Sequence, residues 1–513
     1  MPRDPGGSPQ TRRRRMAPIL ALLVVVAVPY VGRSVTTVDG AEMVSESLGL
    51  FVQGHFGLGR MPPSDASPSE EAPYHSKYGL FPSLLPLPTL APAWWARDVI
   101  GAPAVDGLIA LTWSAGVFLA GLAFGALVRQ LRPDATGPWE AAFVAGTFLW
   151  PYAAESFVEP FAAAGLACGA ALALAGRPRA LAAVPWAAAC LLKPIVWLTV
   201  PVLVLAFALE ARKTRALRAI WPAFAVFCLA LCLQGAANRA LGGSWLETGY
   251  GSEVFRFTTS LGDGLFGLLL SPGRSVFLYA PVAAVGLLGL SRVSLPAAAL
   301  CGGVPLLHVL VFAQWWSWEG GDAWGPRHLL PVLPLLAAPA VLVGRNTVRA
   351  AFLLGALLNL SGVLVSSGTW DAWAERLRPP AGAAWPATGL LRAATVPALS
   401  PLVGHAWLAA RSVLGLDLRH PLLPADVVDR ETPPDRATSV SPWLVRRALG
   451  LPAIPPFVPR LLVHSAAGDL ARGRNARALR WAREAVRLSP GDVDARRLVA
   501  IAAAEVRRSG PGD

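Results

Sequence analysis

Long apolar runs alternate with short polar connectors over most of the chain. An apolar stretch, APILALLVVVAVPYVG, begins at residue 17, and nine further runs lie at 105–128, 141–152, 157–175, 181–209, 220–237, 276–290, 295–313, 329–343 and 350–365. A straight helix needs about 20 apolar residues to cross the hydrocarbon core of a bilayer, and fewer when neighbouring helices bury it. The pattern therefore predicts a polytopic, all-α membrane protein.

Composition supports this prediction and argues against one class of partner. The chain has 513 residues, of which 54% are hydrophobic and only 15% charged, so it has too few charges to cover a soluble surface. The net charge of +13 comes from arginine clusters beside the apolar runs and in the tail, without an aromatic-interleaved face, which argues against a nucleic-acid partner. All five cysteines lie inside apolar runs, where they are expected to be packing residues rather than disulfide or CxxC metal ligands.

Charge asymmetry predicts the orientation. The segment 1–15 is basic and no small-x-small cleavage site follows the first apolar stretch, so we expect an uncleaved first span with a cytoplasmic N-terminus. Placing the basic connectors at 129, 176, 210, 291 and 344 in the cytoplasm requires the run 181–209 to enter and return as a broken pair around LLKP. This gives about eleven transmembrane helices within 16–366 and an extracytoplasmic C-terminus. A single tilted span at 181–209 is the alternative and would invert everything downstream.

The first outer loop is predicted to be large. Its segment KYGLFPSLLPLPTLAPAWW, at 77–95, carries four prolines and is expected to lie on the membrane surface or to re-enter it, with a true span as the alternative. The motif VDGAEM, which starts at Val38, precedes apolar positions that suit a short interfacial helix with Asp39 near its start.

Polar residues then collect on the outer face. Singly they have ordinary explanations: Asp39 as a helix cap, Glu155 and Glu159 as solvated residues at a helix end, Lys193 as a snorkelling side chain and the tryptophans as an interfacial belt. Their joint placement favours one extracytoplasmic site at the membrane boundary. The candidate substrate-site residues are Glu42, His75, Tyr78, Glu155, Glu159, Tyr250, Trp318, Glu319, Asp322 and Trp324.

Such a site suits transfer of a group from a lipid phosphate. A leaving phosphate is a weak base, so the reaction needs no general acid; it needs one carboxylate to take a proton from the acceptor and cations to stabilise the phosphate. A glycosidase instead needs two carboxylates across a cleft, whereas Glu155 and Glu159, at i and i+4, would lie side by side on one helix.

The order of several motifs resembles bacterial members of the GT-C class of glycosyltransferases, which includes protein O-mannosyltransferases and the transferases that put aminoarabinose on lipid A. The resemblance covers about residues 16–370. Its motifs are VDGAEM, HSKYGLFPSLLPLP, YAAESFVEP, LLKP, GYG, SPGRSVFLYAP and WWSWEGGDAWGPRHLLPVLP.

This resemblance implies an inverting glycosyltransferase of the bacterial cytoplasmic (inner) membrane, with a polyprenyl-phosphate sugar donor, membrane lipid around it and an extracytoplasmic glycan, lipid or protein acceptor. It implies that Asp39 is the general base and that Lys77 and Lys193 lie near the donor. We add Arg274 and Arg327 as candidate phosphate contacts. Many members carry an acidic pair after the first span, whereas here Gly40 follows Asp39. The mechanism requires no cofactor and no metal, and a divalent metal is not indicated.

The C-terminal part is predicted to be a proline- and arginine-rich extracytoplasmic linker with short surface helices at 367–459, followed by a helical hairpin at 460–508. The hairpin resembles one to one and a half tetratricopeptide units, and a generic helical hairpin is the alternative. One such unit cannot bury its apolar face alone, so we expect it to pack on the membrane domain or on a protein partner. The apolar positions at helical spacing are Ala478, Trp481, Ala482, Ala485 and Val486, and then, after SPGD, Ala495, Leu498, Val499, Ala502 and Ala503.

Two other functions remain open. A transporter or flippase of lipid-linked sugars commonly shows two related halves with broken helices, and this chain shows one broken pair. A non-catalytic assembly protein would use the tail as a docking module.

Overall fold

The structure is a computed structural model that describes residues 9–30, 37–55, 76–214, 217–246, 248–250, 253, 256–380, 384–386, 388–440, 442–452 and 456–509. The fold is 74% helical, and the described ranges contain no strand, only an isolated bridge between Val365 and Val440. This confirms the all-α prediction.

Eighteen α-helices precede residue 365 in the described ranges. They are α1 (Pro9–Tyr30), α2 (Val38–Gln53), α3 (Leu80–Leu84), α4 (Leu87–Trp95), α5 (Arg97–Ile100), α6 (Ala102–Leu131), α7 (Trp139–Ala145), α8 (Glu159–Leu174), α9 (Arg179–Leu192), α10 (Val200–Thr214), α11 (Trp221–Gly242), α12 (Leu261–Leu270), α13 (Val276–Tyr279), α14 (Pro281–Gly289), α15 (Leu295–Ala298), α16 (Val304–Phe312), α17 (Leu333–Ala337) and α18 (Arg345–Leu364).

Nine α-helices follow. They are α19 (Ser367–Arg376), α20 (Gly389–Thr395), α21 (Pro401–Ser412), α22 (Ala425–Val428), α23 (Arg436–Ser439), α24 (Trp443–Ala448), α25 (Phe457–Leu470), α26 (Asn475–Leu488) and α27 (Val493–Ser509). Short 3₁₀ turns lie at Pro151–Ala153, Pro194–Thr199, Leu217–Ile220, Leu290–Arg292, Arg327–Val332, Ala338–Leu342 and Pro397–Leu399, and a π turn at Ala299–Gly303 joins α15 to α16.

Four helical segments in the described ranges are long and apolar enough to cross a membrane: Ala102–Leu131, Trp221–Gly242, Leu295–Phe312 and Arg345–Leu364. The predicted number of about eleven spans is not confirmed by these lengths. Seven shorter apolar helical segments accompany them, at Met16–Val28, Glu159–Leu174, Arg179–Leu192, Pro194–Glu210, Leu261–Leu270, Pro281–Arg292 and Arg327–Leu342.

Close helix packing explains why short helices suffice inside the bundle. Helix α8 packs against both α6 and α9. A Cβ atom built on Gly165 would lie 2.4 Å from the carbonyl oxygen of Pro185, and one on Gly169 would lie 2.9 Å from that of Ala182. Small residues thus allow α8 and α9 to touch through their backbones, which is typical of helix association in membranes.

The run 181–209 is broken where the sequence predicts. Helix α9 ends at Leu192, and Lys193 is extended, with φ −138° and ψ 98°. Pro194 has no N–H to continue the helix and disfavours helical geometry in the residue before it. The break is therefore a property of the LLKP motif, and it frees Lys193 to point out of the helix.

Two segments differ from the sequence-based expectation. The apolar run 141–152 is not one helix, because α7 ends at Ala145 and Gly146 packs backbone to backbone against Gly355. Within the predicted linker 367–459, helices α19 and α21 form a buried cluster instead of lying on the surface. In it Trp370 stacks on His420 and Trp373 stacks on Trp407, while the rings of Trp370 and Trp373 are tilted with centroids 5.1 Å apart. Burial of these aromatic rings thus stabilises a packed cluster in this segment, in spite of its many prolines and arginines.

The C-terminal helices pack on the membrane domain. Residues of α2, α4, α6, α25 and α26 share one hydrophobic cluster, which includes Met43, Leu48, Trp94, Leu462 and Trp481. This is the first of the two alternatives that the sequence left open, and it places the tail on the side of the molecule that carries α2. The tetratricopeptide likeness stays a prediction.

Polar contacts fix this packing. The buried carboxylate of Asp106, on α6, accepts hydrogen bonds from the backbone N–H groups of Phe457 and Val458 at the start of α25. Two ion pairs continue the contact, Arg97 with Glu484 at 3.3 Å and Asp98 with Arg487. Asp106 thus satisfies N–H groups that the first turn of a helix leaves without intrahelical partners.

We predict that Asp106→Ala loosens the C-terminal helices. One buried and one partly buried N–H group would lose their acceptor, at a cost on the order of 2 kcal/mol. Amide hydrogen exchange in α25 and α26 should then accelerate by about tenfold or more, since 1.4 kcal/mol corresponds to a factor of ten. Asp494→Ala, at an exposed position of α27, is the matched control. Wild-type exchange in Asp106→Ala would contradict this account.

Candidate functional site

Asp39 lies in the first turn of α2. The hydroxyl of Thr37 caps this helix: it accepts from the N–H of Gly40 at 3.0 Å and donates to the carbonyl oxygen of Ser156 at 3.0 Å. The capping role considered for Asp39 therefore belongs to Thr37. The carboxylate of Asp39 instead accepts a hydrogen bond from Nη1 of Arg327, with an Oδ2–Nη1 distance of 2.8 Å.

Gly40 is needed for this docking. A Cβ atom built on Gly40 would lie 2.1 Å from Cβ of Ser156, so no larger residue fits without moving the helix. Any larger residue at position 40, an acid included, would therefore displace the start of α2 from Ser156.

Arg327 continues the network to two further charges. Its Nε lies 3.6 Å from Oε1 of Glu159, and the same carboxylate oxygen lies 2.5 Å from Nζ of Lys193. The Arg327 guanidinium also stacks on the ring of Phe157, 4.6 Å from its centroid. Asp39, Arg327, Glu159 and Lys193 thus form a chain of alternating charges, here called the charge chain.

Local sequence places each member of the charge chain. Pro160 follows Glu159 in the first turn of α8, where its missing N–H costs nothing, so Glu159 opens that helix. Lys193 occupies the break after α9. Arg327 ends the loop 314–328, in which Gly320 and Gly321 have φ of 82° and 69°. These left-handed conformations favour glycine and turn the loop back toward α2.

A cavity of about 430 Å³ opens beside the charge chain. Its wall contains the cations Lys77, Lys193 and Arg327, while Asp39 is not among its lining residues. Arg327 is thus the member of this ion pair that lines the cavity. Most of the remaining wall is apolar: Ile195, Trp197, Leu198, Phe257, Phe312, Trp315 and Trp316.

Two tyrosines border both Asp39 and the cavity. The rings of Tyr78 and Tyr250 meet edge to face with centroids 5.9 Å apart. Burial, and then the negative charge of Asp39, raise the pKa of each phenol above its usual value. Both hydroxyls therefore stay protonated and are hydrogen-bond donors at all ordinary pH values.

Glu42 lies one helical turn beyond Asp39. It accepts from the hydroxyl of Ser76 at 3.2 Å, and burial raises its pKa while the charge of Lys77 acts in the opposite direction. Among the residues predicted for the site, the structure thus brings together Asp39, Glu42, Lys77, Tyr78, Glu159, Lys193, Tyr250 and Arg327. His75 lies outside the described residues.

Arg274 lies outside the cavity wall. Its guanidinium is fully buried and donates to the carbonyl oxygens of Gly321 at 3.0 Å and Ala323 at 2.9 Å. It also lies 3.6 Å from the carboxylate of Asp371. In this structure Arg274 anchors the loop 314–328 rather than facing the cavity.

The other predicted residues also lie away from the cavity wall. Trp324 is fully buried and donates from Nε1 to Oδ1 of Asn359 at 2.7 Å, Trp318 packs against Gly267, and Glu319 accepts from Ser317 at 3.1 Å. Glu155 is buried near Asp371 and Tyr152, and Asp322 lies exposed on the loop.

Several apolar residues of the site carried no signal in the sequence. Phe157, under the Arg327 guanidinium, is one hydrophobic residue among many, and so are Ile195, Leu198 and Phe312. Phe157 lies within the motif YAAESFVEP, and Ile195 and Leu198 closely follow LLKP; this proximity was the available clue. Within the described ranges, no three His, Cys, Asp or Glu residues are grouped as a metal site would require.

No protein-family model matches the chain, and no curated protein matches its sequence significantly. Among solved structures it is similar to ArnT from Cupriavidus metallidurans in the apo state, at 14% identity and a TM-score of 0.46, over 97% of this chain and 78% of ArnT. A second structure, of ArnT bound to undecaprenyl phosphate, is similar at 14% identity and a TM-score of 0.43, over 96% and 78% of the two chains. ArnT is a GT-C transferase, the class that the motif order resembles.

Asp371, on α19, is the acid beside the loop anchor Arg274. Burial raises the pKa of Asp371 to about 7, although the charge of Arg274 acts in the opposite direction. A carboxyl group in an unfolded chain ionises near pH 4. Between these two values the folded protein holds a proton that the unfolded chain has lost, so stability falls as the pH rises from about 4 to 7.

We predict that Asp371→Asn removes this part of the pH dependence. The apparent Tm of the purified wild-type protein in detergent should fall between pH 4.5 and pH 7, and that of the variant should fall less, because the amide does not ionise. Asp426→Asn, at an exposed carboxylate, should behave like the wild type. An unchanged decline in Asp371→Asn would show that another group is responsible.

Proposed function

We propose that this protein is an inverting glycosyltransferase, which moves a sugar from a polyprenyl-phosphate donor to an acceptor outside the cytoplasmic membrane. The observation that carries this proposal is the pairing of Asp39 with Arg327 at the wall of a cavity that is apolar apart from a few charged and polar groups. The cavity offers cations for a phosphate and a hydrophobic surface for a prenyl chain, and a carboxylate lies behind the cations.

The cavity mouth suits a lipid substrate. Leu198, Phe257 and Trp316 line the cavity and remain 46%, 46% and 42% exposed. Exposed apolar side chains at the rim of a site in a membrane protein allow a prenyl chain to enter from the bilayer. Lys77, Lys193 and Arg327 would then meet the phosphate at the inner end.

Asp39 would act as the general base. The acceptor hydroxyl loses its proton to this carboxylate, its oxygen attacks the anomeric carbon, and the bond from that carbon to the phosphate oxygen breaks. Polyprenyl phosphate leaves without protonation because it is already a weak base. A single displacement inverts the anomeric centre, and neither a second carboxylate nor a metal is required by this step.

The packing of α2 against the C-terminal helices bears on the orientation of the chain in the membrane. Helix α2, which carries Asp39, shares a hydrophobic cluster with the C-terminal helices α25 and α26, so both lie on one side of the membrane. If the acceptor is extracytoplasmic, the C-terminus is extracytoplasmic as well, and the N-terminus before the first span is cytoplasmic.

We predict that Asp39→Asn lowers sugar transfer at least about 100-fold, since general-base catalysis contributes about 10²- to 10⁴-fold. Transfer is measured with the purified protein and a polyprenyl-phosphate sugar. Binding of undecaprenyl phosphate, the ligand named for one ArnT structure, should persist in the variant, because the cations remain. Asp426→Asn is the control. Full transfer activity in a folded Asp39→Asn protein would remove the base from the mechanism.

Release of polyprenyl phosphate in the transfer experiment distinguishes an enzyme from a carrier of lipid-linked sugars. A flippase needs the cavity and its cations but does not need a base, so it would move labelled lipid across vesicles and would not release polyprenyl phosphate.

Orientation gives a separate prediction. A periplasm-dependent reporter fused after Asp513 should be active, and the same reporter placed before the first span should be inactive. Inactivity of both reporters would mean that the segment 181–209 crosses only once.

A further inference from the structure

The proposed base and one proposed phosphate ligand are bound to each other. Asp39 and Arg327 are 2.8 Å apart, and only Arg327 lines the cavity. Lys193, the second cation, is held by Glu159 at 2.5 Å. The charge chain therefore contains two carboxylates and two cations, and their charges balance.

Transfer of a sugar shifts negative charge along this chain. Before reaction the carboxylate carries one negative charge and the phosphodiester of the donor carries another. Afterwards Asp39 holds the acceptor's proton and is neutral, while the released polyprenyl phosphate carries both negative charges. One unit of negative charge thus passes from Asp39 to the phosphate, and Arg327 lies between the two positions.

We propose that the donor phosphate displaces Asp39 from Arg327, so that Asp39 becomes an effective base only when the donor is bound. This inference rests on the proposed function and adds an order of events to it. In the donor-free protein the guanidinium holds the Asp39 carboxylate in an ion pair at 2.8 Å. In the loaded protein the same guanidinium stabilises the charge that grows on the leaving phosphate.

The surroundings of Arg327 permit this exchange. Glu159 stays within 3.6 Å of Nε and keeps the guanidinium at the site when Nη1 leaves Asp39. Cζ of Arg327 lies over the ring of Phe157, 4.6 Å from its centroid, and this cation–π contact supports the guanidinium independently of Asp39. Glu159 is thus a positioning residue for both cations rather than a second base.

The exchange has a functional consequence. In a donor-free protein, a carboxylate free of Arg327 would hydrogen-bond an acceptor hydroxyl without a sugar to transfer. With Arg327 on Asp39, the donor binds first, and the acceptor is activated second.

Carboxyl labelling tests the exchange without turnover. A water-soluble carbodiimide with an amine modifies protonated carboxyl groups, and mass spectrometry reports the modified fraction of Asp39. We expect this fraction to rise severalfold when undecaprenyl phosphate is added to the full-length protein at pH 6. In Arg327→Gln it should already be high and should not respond, whereas Arg430→Gln, at an exposed arginine, should respond like the wild type.

The wild-type measurement decides the question even if Arg327→Gln does not fold. If undecaprenyl phosphate binds and the labelling of Asp39 stays constant or decreases, the exchange is wrong, and the proposed function is untouched. If undecaprenyl phosphate does not bind at all, the proposed function fails together with the inference.

Discussion

The rest of the site depends on mutual neutralisation within the charge chain. Glu159 is almost fully buried, and a buried carboxylate is tolerated only when it is paired and hydrogen-bonded. Its partners Lys193 and Arg327 come from the broken helix after α9 and from the loop 314–328, and Asp39 comes from α2. Four distant segments therefore have to meet at one point, and the removal of one charge leaves another without its partner inside the protein.

Hydrogen bonds outside the cavity hold these segments in position. Arg274 holds the loop 314–328 through the carbonyl oxygens of Gly321 and Ala323, and the hydroxyl of Tyr152 donates to the carbonyl oxygen of Trp324 at 3.0 Å. On the other side, Thr37 fastens the start of α2 to Ser156. Arg327 and Asp39 thus approach each other from two independently anchored elements, so their 2.8 Å contact does not depend on a flexible hinge.

Local chemistry made part of this arrangement predictable. The helical spacing of apolar residues predicted the helices α2, α26 and α27, and the proline of LLKP predicted the break at Lys193. Each of these features depends on residues close in sequence. Asp39, Lys193 and Arg327 stood out because charges near apolar spans are costly. The roles of Arg274 and Trp324 could not be read in the same way, since an arginine that binds backbone carbonyls and one that faces a cavity look alike in sequence. The hydrophobic residues of the cavity wall, and the cluster around Trp370, depend on contacts between distant segments, which periodicity does not encode.

The docking of the C-terminal helices affects how the protein is made. Helix α2 ends at residue 53, whereas α25, whose first N–H groups bind Asp106, begins at residue 457. The part of this cluster that α25 and α26 contribute is therefore added only when synthesis is nearly finished. Until then the membrane domain presents an uncovered hydrophobic surface around its proposed catalytic helix. Ribosomal products that stop short of residue 457 would retain every member of the charge chain, yet they would expose a surface that chaperones and membrane proteases recognise.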